Sequence, residues 1–102
     1  MLELRPTCEH CNRALPPEAA EARICSFECT FCSTCAHELL ADVCPNCGGN
    51  FIARPIRPQR NWKGENYLGK YPASTRTKHR PVDLTAHAAF AAQMSRIAPA
   101  ER

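Results

Sequence analysis

The stretch Cys25-Ser-Phe-Glu-Cys29-Thr-Phe-Cys32-Ser-Thr-Cys35, followed by Ala36-His-Glu-Leu-Leu-Ala-Asp-Val-Cys44-Pro-Asn-Cys47, decides what kind of protein this is. Upstream, Cys8-Glu-His-Cys11 adds one more pair, and all eight cysteines of the chain fall between positions 8 and 47. A thiolate is a soft, charged donor that suits zinc, and a two-residue gap lets both sulfurs of a Cys-x2-Cys turn face one ion. Three such gaps and one Cys-x3-Cys supply two complete four-thiolate sets with no ligand left over. The spacing therefore predicts two zinc ions.

Size points the same way. A segment of this length lies near the lower limit for chains that fold alone, where metals or disulfides stand in for a core. Its large apolar residues are Leu2, Leu4, Leu15, Ile24, Phe27, Phe31, Leu39, Leu40 and Val43. These can cover two metal sites but cannot hold a fold unaided. Disulfides need an oxidising compartment, and the opening Met1-Leu-Glu-Leu-Arg-Pro6 has neither the basic nor the apolar region of a secretory leader. No run reaches transmembrane length. The expectation is a cytoplasmic, metal-stabilised monomer with no membrane contact.

Charge divides the chain in two. Residues 1–47 hold three Lys/Arg against seven Asp/Glu, whereas residues 48–102 hold ten against three. Eight thiolates on two divalent ions would make the head more acidic still. An acidic head thus precedes a basic tail.

Taken in order, residues 1–58 read as the zinc-binding module. Leu2 and Leu4 alternate with charges and can form a strand-like edge. His10 sits inside the first knuckle, facing solvent or donating to sulfur, since eight cysteines already suffice. Pro16-Pro17 stops regular structure in the following loop, and Leu15 and Ile24 plug the space between the sites. Ala36–Asp42 has good helix formers with Leu39 and Leu40 on one side, and His37 lies at its surface. After Gly48-Gly49, Phe51 and Ile52 anchor a strand returning to the head. Residues 59–81 form a basic, irregular linker with Trp62, Tyr67 and Tyr71 interspersed. Residues 82–98 carry a C-terminal helix capped by Asp83, running from Leu84 to about Ile97, with Phe90, Met94 and Ile97 as its weak apolar stripe. A helix so short and alanine-rich either docks or frays.

Two ligand pairings satisfy the spacing. In a sequential arrangement, Cys8, Cys11, Cys25 and Cys29 hold one ion and Cys32, Cys35, Cys44 and Cys47 the other. In an interleaved one, Cys8, Cys11, Cys32 and Cys35 share the first ion and Cys25, Cys29, Cys44 and Cys47 the second. Spacing does not choose between them.

The order C-x2-C-x13-C-x3-C-x2-C-x2-C-x8-C-x2-C resembles a RING finger, with Cys29 where histidine is usual, Phe31 just before Cys32 and Pro45 in the last knuckle. That resemblance implies the interleaved cross-brace. The chain is also similar to a family of short, uncharacterised bacterial cysteine-rich proteins. Met1-Leu-Glu-Leu-Arg-Pro6, Ala22-Arg-Ile-Cys25, Phe27-Glu-Cys-Thr-Phe-Cys32 and Cys44-Pro-Asn-Cys-Gly-Gly49 carry this second likeness, which implies a bacterial cytosolic zinc protein. The implied fold is a small α+β RING-like cross-brace with two zinc ions, followed by a basic, largely irregular tail.

Closed four-thiolate sites leave no open coordination position for catalysis, so the first functional reading is a non-enzymatic module that docks an unknown protein partner. A second is nucleic-acid binding through the basic, aromatic residues 54–80. A third is a ubiquitin-ligase-like adaptor. Of the positions by which RING fingers engage conjugating enzymes, only Pro45 matches: His10 and Gly48 depart from the pattern, and Ala36–Val43 offers only Leu39, Leu40 and Val43. A fourth, an iron–sulfur or redox role, lacks the spacing of a ferredoxin run. No phosphate-binding loop, dinucleotide fingerprint or paired acid–base motif is present.

Overall fold

The computed structural model describes residues 1–102. Three short antiparallel strands form its sheet: β1 (Ala22–Ile24), β2 (Thr30–Cys32) and β3 (Ile52–Ala53), in the order β2-β1-β3. Ala22 pairs with Cys32, Arg23 with Phe31 and Ile24 with Thr30, while on the other side Ile24 pairs with Ile52. The β1–β2 connection is the Cys25–Cys29 knuckle. Glu28 turns it at a φ of +68°, and Glu28 N–H donates to the Cys25 carbonyl at 3.0 Å.

The core is lined with sulfur as much as with hydrocarbon. Of the 13 residues in its central cluster, six are cysteines, packed with Leu15, Ala19, Ala22, Phe31, Ala36, Leu40 and Phe51. Phe31 and Phe51 meet edge to face, 5.4 Å between centroids, a favoured aromatic geometry. Leu15 and Ile24 are buried as expected, and Leu4 joins them.

Several expectations are corrected. Ile52 does not anchor the returning strand: it is 61 % exposed on β3, and Phe51 alone enters the core. A strand puts successive side chains on opposite faces, so only one of the two can point inward. Phe27 stands at the tip of its knuckle, 71 % exposed. The segment after Cys35 is a π-helical turn, Cys35–Leu39, which leaves Leu39 outside and Leu40 inside. With eight residues between Cys35 and Cys44 the chain must reverse at once, and Ala41 and Asp42 do so at positive φ. The lead-in makes an isolated bridge, Thr7 to Ala14, rather than a strand.

Residues 59–81 contain no helix or strand, yet they are tied to the head. Arg57 donates to the carbonyls of Leu2 and Tyr71, Ser74 N–H to the Leu4 carbonyl, and Arg80 N–H to that of Glu9. The chain then enters α1 (Leu84–Met94), capped by the Asp83 carboxylate on Thr85 N–H and Ala86 N–H. The helix ends three residues short of Ile97. It docks through His87 and Ala91, with Phe90 and Met94 only half-buried. His87 reaches the Leu40 carbonyl at 2.9 Å, and Arg102 closes over the Gly48 carbonyl.

Candidate metal centre

Local turns set each cysteine pair. In the first knuckle Asn12 takes a φ of +64° and its N–H returns to the Cys8 carbonyl at 2.9 Å. In the last, Gly48 N–H donates to the Cys44 carbonyl, and Cys44 N–H to that of Gly49. Several backbone N–H groups aim at sulfur: Phe27 at Cys25 (3.3 Å), Asn46 at Cys44 (3.4 Å) and Gly49 at Cys47 (3.4 Å). Donors so placed favour thiolate over thiol.

Longer contacts then decide which pairs meet. Glu9 lies between Cys8 and Cys11, and its N–H donates to the Thr30 carbonyl at 2.9 Å, while its carboxylate accepts from Thr30 N–H. Arg5 Nη1 completes that carboxylate at 2.9 Å in a buried ion pair. Burial opposes the Arg5 charge, but Glu9 and Glu3 outweigh it and hold the guanidinium firmly protonated. The first knuckle is thereby laid beside β2, two residues ahead of Cys32. The Sγ atoms of Cys8, Cys11, Cys32 and Cys35 consequently lie within 4.8 Å of one another. Cys11 and Cys32 are 3.9 Å apart.

The second group gathers Cys25, Cys44 and Cys47 within the same limit. Cys29 is the fourth sulfur at this end. It stands outside the mutual 4.8 Å limit, in hydrogen-bond reach of the Cys44 and Cys25 thiols and 3.4 Å from Asn46 Nδ2. All eight thiols are free. The first and third pairs thus gather at one end, and Cys25 with the last pair at the other.

Proton affinities within the groups are unequal. The Cys44 thiol holds Cys29 down to about 5 against the cost of burial, with Asn46 and Cys25 adding to the effect. Burial pushes Cys25 up to about 11, and Cys8 and Cys35 also upward. Cys44 is raised by donating to Cys29 and then by burial. Cys32 is lowered despite burial, because Cys35 N–H and the neighbouring thiols donate to it. Each group thus has one sulfur disposed to carry charge, surrounded by thiols sharing protons with it. A divalent cation can replace those protons, so the donor set fits a metal at both ends.

His10 does not meet sulfur: its Nδ1 accepts from Val82 N–H at 2.9 Å. His37 is exposed, in contact with Asp42 and Arg23. In the sequence Arg54 reads as a basic residue ahead of Pro55, within a stretch Arg54–Pro58 that shares the family likeness, and nothing there marks it as buried. Here it is 4 % exposed and donates to the carbonyls of Arg5, Leu15 and Pro16.

Residues 1–57 match a protein family described as "Protein of unknown function (DUF1272)". The chain belongs to this family. An uncharacterised protein of Rhizobium meliloti (strain 1021) is 52 % identical over 81 residues, covering 79 % of this chain and 89 % of the relative. No solved structure matches. The likeness to short, uncharacterised bacterial cysteine-rich proteins is borne out, and the DUF1272 segment contains both cysteine groups. No helix is long and apolar enough to cross a membrane.

Proposed function

We propose that residues 1–58 form a RING-like cross-brace holding two structural zinc ions. Cys8, Cys11, Cys32 and Cys35 bind the first, and Cys25, Cys29, Cys44 and Cys47 the second. The protein then serves as a cytoplasmic, non-catalytic module that docks a protein partner. The observation that carries this reading is the interleaving of the two thiol groups, since the same four pairs taken sequentially would gather elsewhere. Bound zinc supplies cross-links between segments and, with four thiolates around it, no open position for substrate.

The chain's own tail argues against a ligase-like role. Two of the four positions where RING fingers meet conjugating enzymes are contacted from within, Val82 N–H on His10 and Phe90 beside Gly48, while Pro45 lines a groove with residues before and along α1. Nucleic-acid binding by ring stacking is supported less, because Tyr67 and Tyr71 are half-buried and Trp62 alone among the tail aromatics stands free. Met1, Phe27, Leu39, Ile52 and Ile56 are the large apolar side chains the head leaves exposed, and Phe27 and Ile52 are the most exposed of them beyond the N-terminal residue.

Elemental analysis of protein purified without added metal should return two zinc ions per chain. Structural zinc in such modules contributes on the order of 10 kcal/mol of apparent folding free energy, so chelation should abolish the folded spectrum of residues 8–47. One zinc, or mostly iron, overturns the metal assignment. A partner captured by the zinc-loaded protein should be lost with Phe27→Ser/Ile52→Ser. Capture that this variant leaves unchanged, or no partner at all, overturns the docking role.

A further inference from the structure

Between Ser74 and Arg80 the tail arches away from the head. Its backbone is fastened at both feet, Ser74 N–H to the Leu4 carbonyl at 2.9 Å and Arg80 N–H to the Glu9 carbonyl at 2.7 Å. No backbone hydrogen bond joins Thr75 through His79 to the head. A groove of about 640 Å³ lies beneath the arch, a volume in the range of small-ligand sites.

Its lining is strongly one-signed. Arg5, Arg76, Lys78 and Arg80 bring four permanent cations, the His79 ring is held at the His10 carbonyl of the head at 3.1 Å, and Glu9 is the one carboxylate. Glu9 is spent on Arg5 and Thr30, and Arg5 in turn on Glu9 and Glu3, so the cations left open are Arg76, Lys78 and Arg80. Lys78 makes only a long contact with Glu3, at 4.0 Å, and Arg76 and Arg80 have no acidic partner. Cys29 and Asn46 form the floor. A metal-loaded second group would carry about two negative charges over four sulfurs, of which only Cys29 faces the groove. That leaves the cations in excess. Guanidinium groups lining one groove suit the oxygens of a phosphoryl group, which a guanidinium binds bidentately.

We propose that the groove under residues 74–80 is a binding site for a phosphoanion, gripped by Arg76, Lys78 and Arg80 of the arch. The near absence of an apolar wall favours a compact, multiply charged phosphate over a ligand recognised by its rings. Phosphoryl oxygens of a free phosphate and of a single-stranded nucleic-acid backbone share this chemistry, so the two sources are separated by experiment. The proposal needs only the arch and its cations, and its failure would leave the zinc assignment intact.

The test uses the full-length, zinc-loaded protein, titrated at low salt with pyrophosphate, orthophosphate and, separately, a short oligothymidylate. Binding is followed by calorimetry and by amide shifts. Pyrophosphate should bind one to one, more tightly than orthophosphate, and move the amides of residues 75–80. Arg76→Gln and Arg80→Gln should each weaken it about tenfold, the scale of a lost charge-assisted hydrogen bond, with zinc content unchanged. Lys63→Gln, an exposed cation outside the groove, should leave it unaltered. Oligonucleotide binding with the same Arg76 and Arg80 dependence, and none of pyrophosphate, would support the site and name the nucleic-acid backbone as its source. Absence of all binding, or an equal loss with Lys63→Gln, would overturn the proposal and leave the arch as a counter-charge for its own acidic head.

Discussion

Arg54 shows how much of this fold rests on single side chains that no motif announces. Its guanidinium sits at the meeting point of the lead-in, the proline loop and the strand after the last knuckle, and it satisfies a carbonyl from Arg5, Leu15 and Pro16. Burial lowers its proton affinity, and no carboxylate offsets that. The site is held by backbone dipoles alone. Removing the side chain would strand three carbonyls away from water, each a costly loss. Arg54→Ala should therefore destabilise the zinc-loaded protein by about 3 kcal/mol, measured by urea denaturation at fixed zinc. Arg54→Lys should rescue little, because one ammonium cannot span what a planar fork does. Full stability in the lysine variant would show that charge rather than geometry matters here. Cys29 is the other decisive residue. Its thiol lies well below the ordinary value of 9.0, held there first by Cys44. Protons compete with a metal for its thiolates, so acidification from pH 7 to 5 should release metal, read with a colorimetric chelator, and Cys29→Ser, with one ligand fewer, should shift that release to higher pH.

At the scale of elements, the helix α1 exists because it docks. It is too short and too rich in alanine to persist alone, and what holds it is a set of contacts with the last knuckle. Gly48 is the contact that can be tested. Its φ of +78° already disfavours a side chain, and an added Cβ would stand 3.0 Å from Phe90 Cζ and 3.4 Å from Met94 Sδ. Gly48→Ala should cost about 1 kcal/mol or more, and it should accelerate amide exchange along Leu84–Met94 while leaving zinc content unchanged. Unaltered exchange would mean that His87 and Arg102 alone secure the helix. The existence of this helix and its Asp83 cap were readable in the sequence, because alanine propensity and a capping carboxylate are local properties. Its docking face was not. The stripe of Phe90, Met94 and Ile97 suggested one surface, yet the buried residues are His87 and Ala91, because the Leu40 carbonyl at the end of the π-helical turn takes a hydrogen-bonding ring and close packing takes a small side chain. The same limit explains Ile52: composition marked a strand returning to the head, but which of two neighbouring apolar residues faces inward depends on register with β1, and register is a long-range fact.

For the molecule as a whole, the two cysteine groups were legible as ligand sets from spacing, while their partition was not, since both pairings satisfy the same gaps. The contact that separates them is Glu9 against Thr30, twenty-one residues apart, which lays the first knuckle beside β2 and so delivers Cys8 and Cys11 to Cys32 and Cys35. An interleaved pairing would make the module a single cooperative object: each group would draw on both ends of residues 8–47, with Phe31 and Leu15 packed among the cysteines. A sequential arrangement would instead give two independent knots. A peptide of residues 1–30 distinguishes them, because it contains Cys8, Cys11, Cys25 and Cys29 and no other cysteine. Under sequential pairing it owns a whole site and would fold around one zinc. Under the interleaved pairing it owns half of each, it lacks most of β2, and nothing native brings its four sulfurs together. With one equivalent of zinc the peptide should bind weakly and give the collapsed amide spectrum of an unstructured chain, whereas residues 1–58 with two equivalents should disperse fully. A well-dispersed spectrum from the shorter peptide would sink the cross-brace, since it would mean that Cys25 and Cys29 can serve the first ion and that the Glu9–Thr30 contact does not govern the pairing.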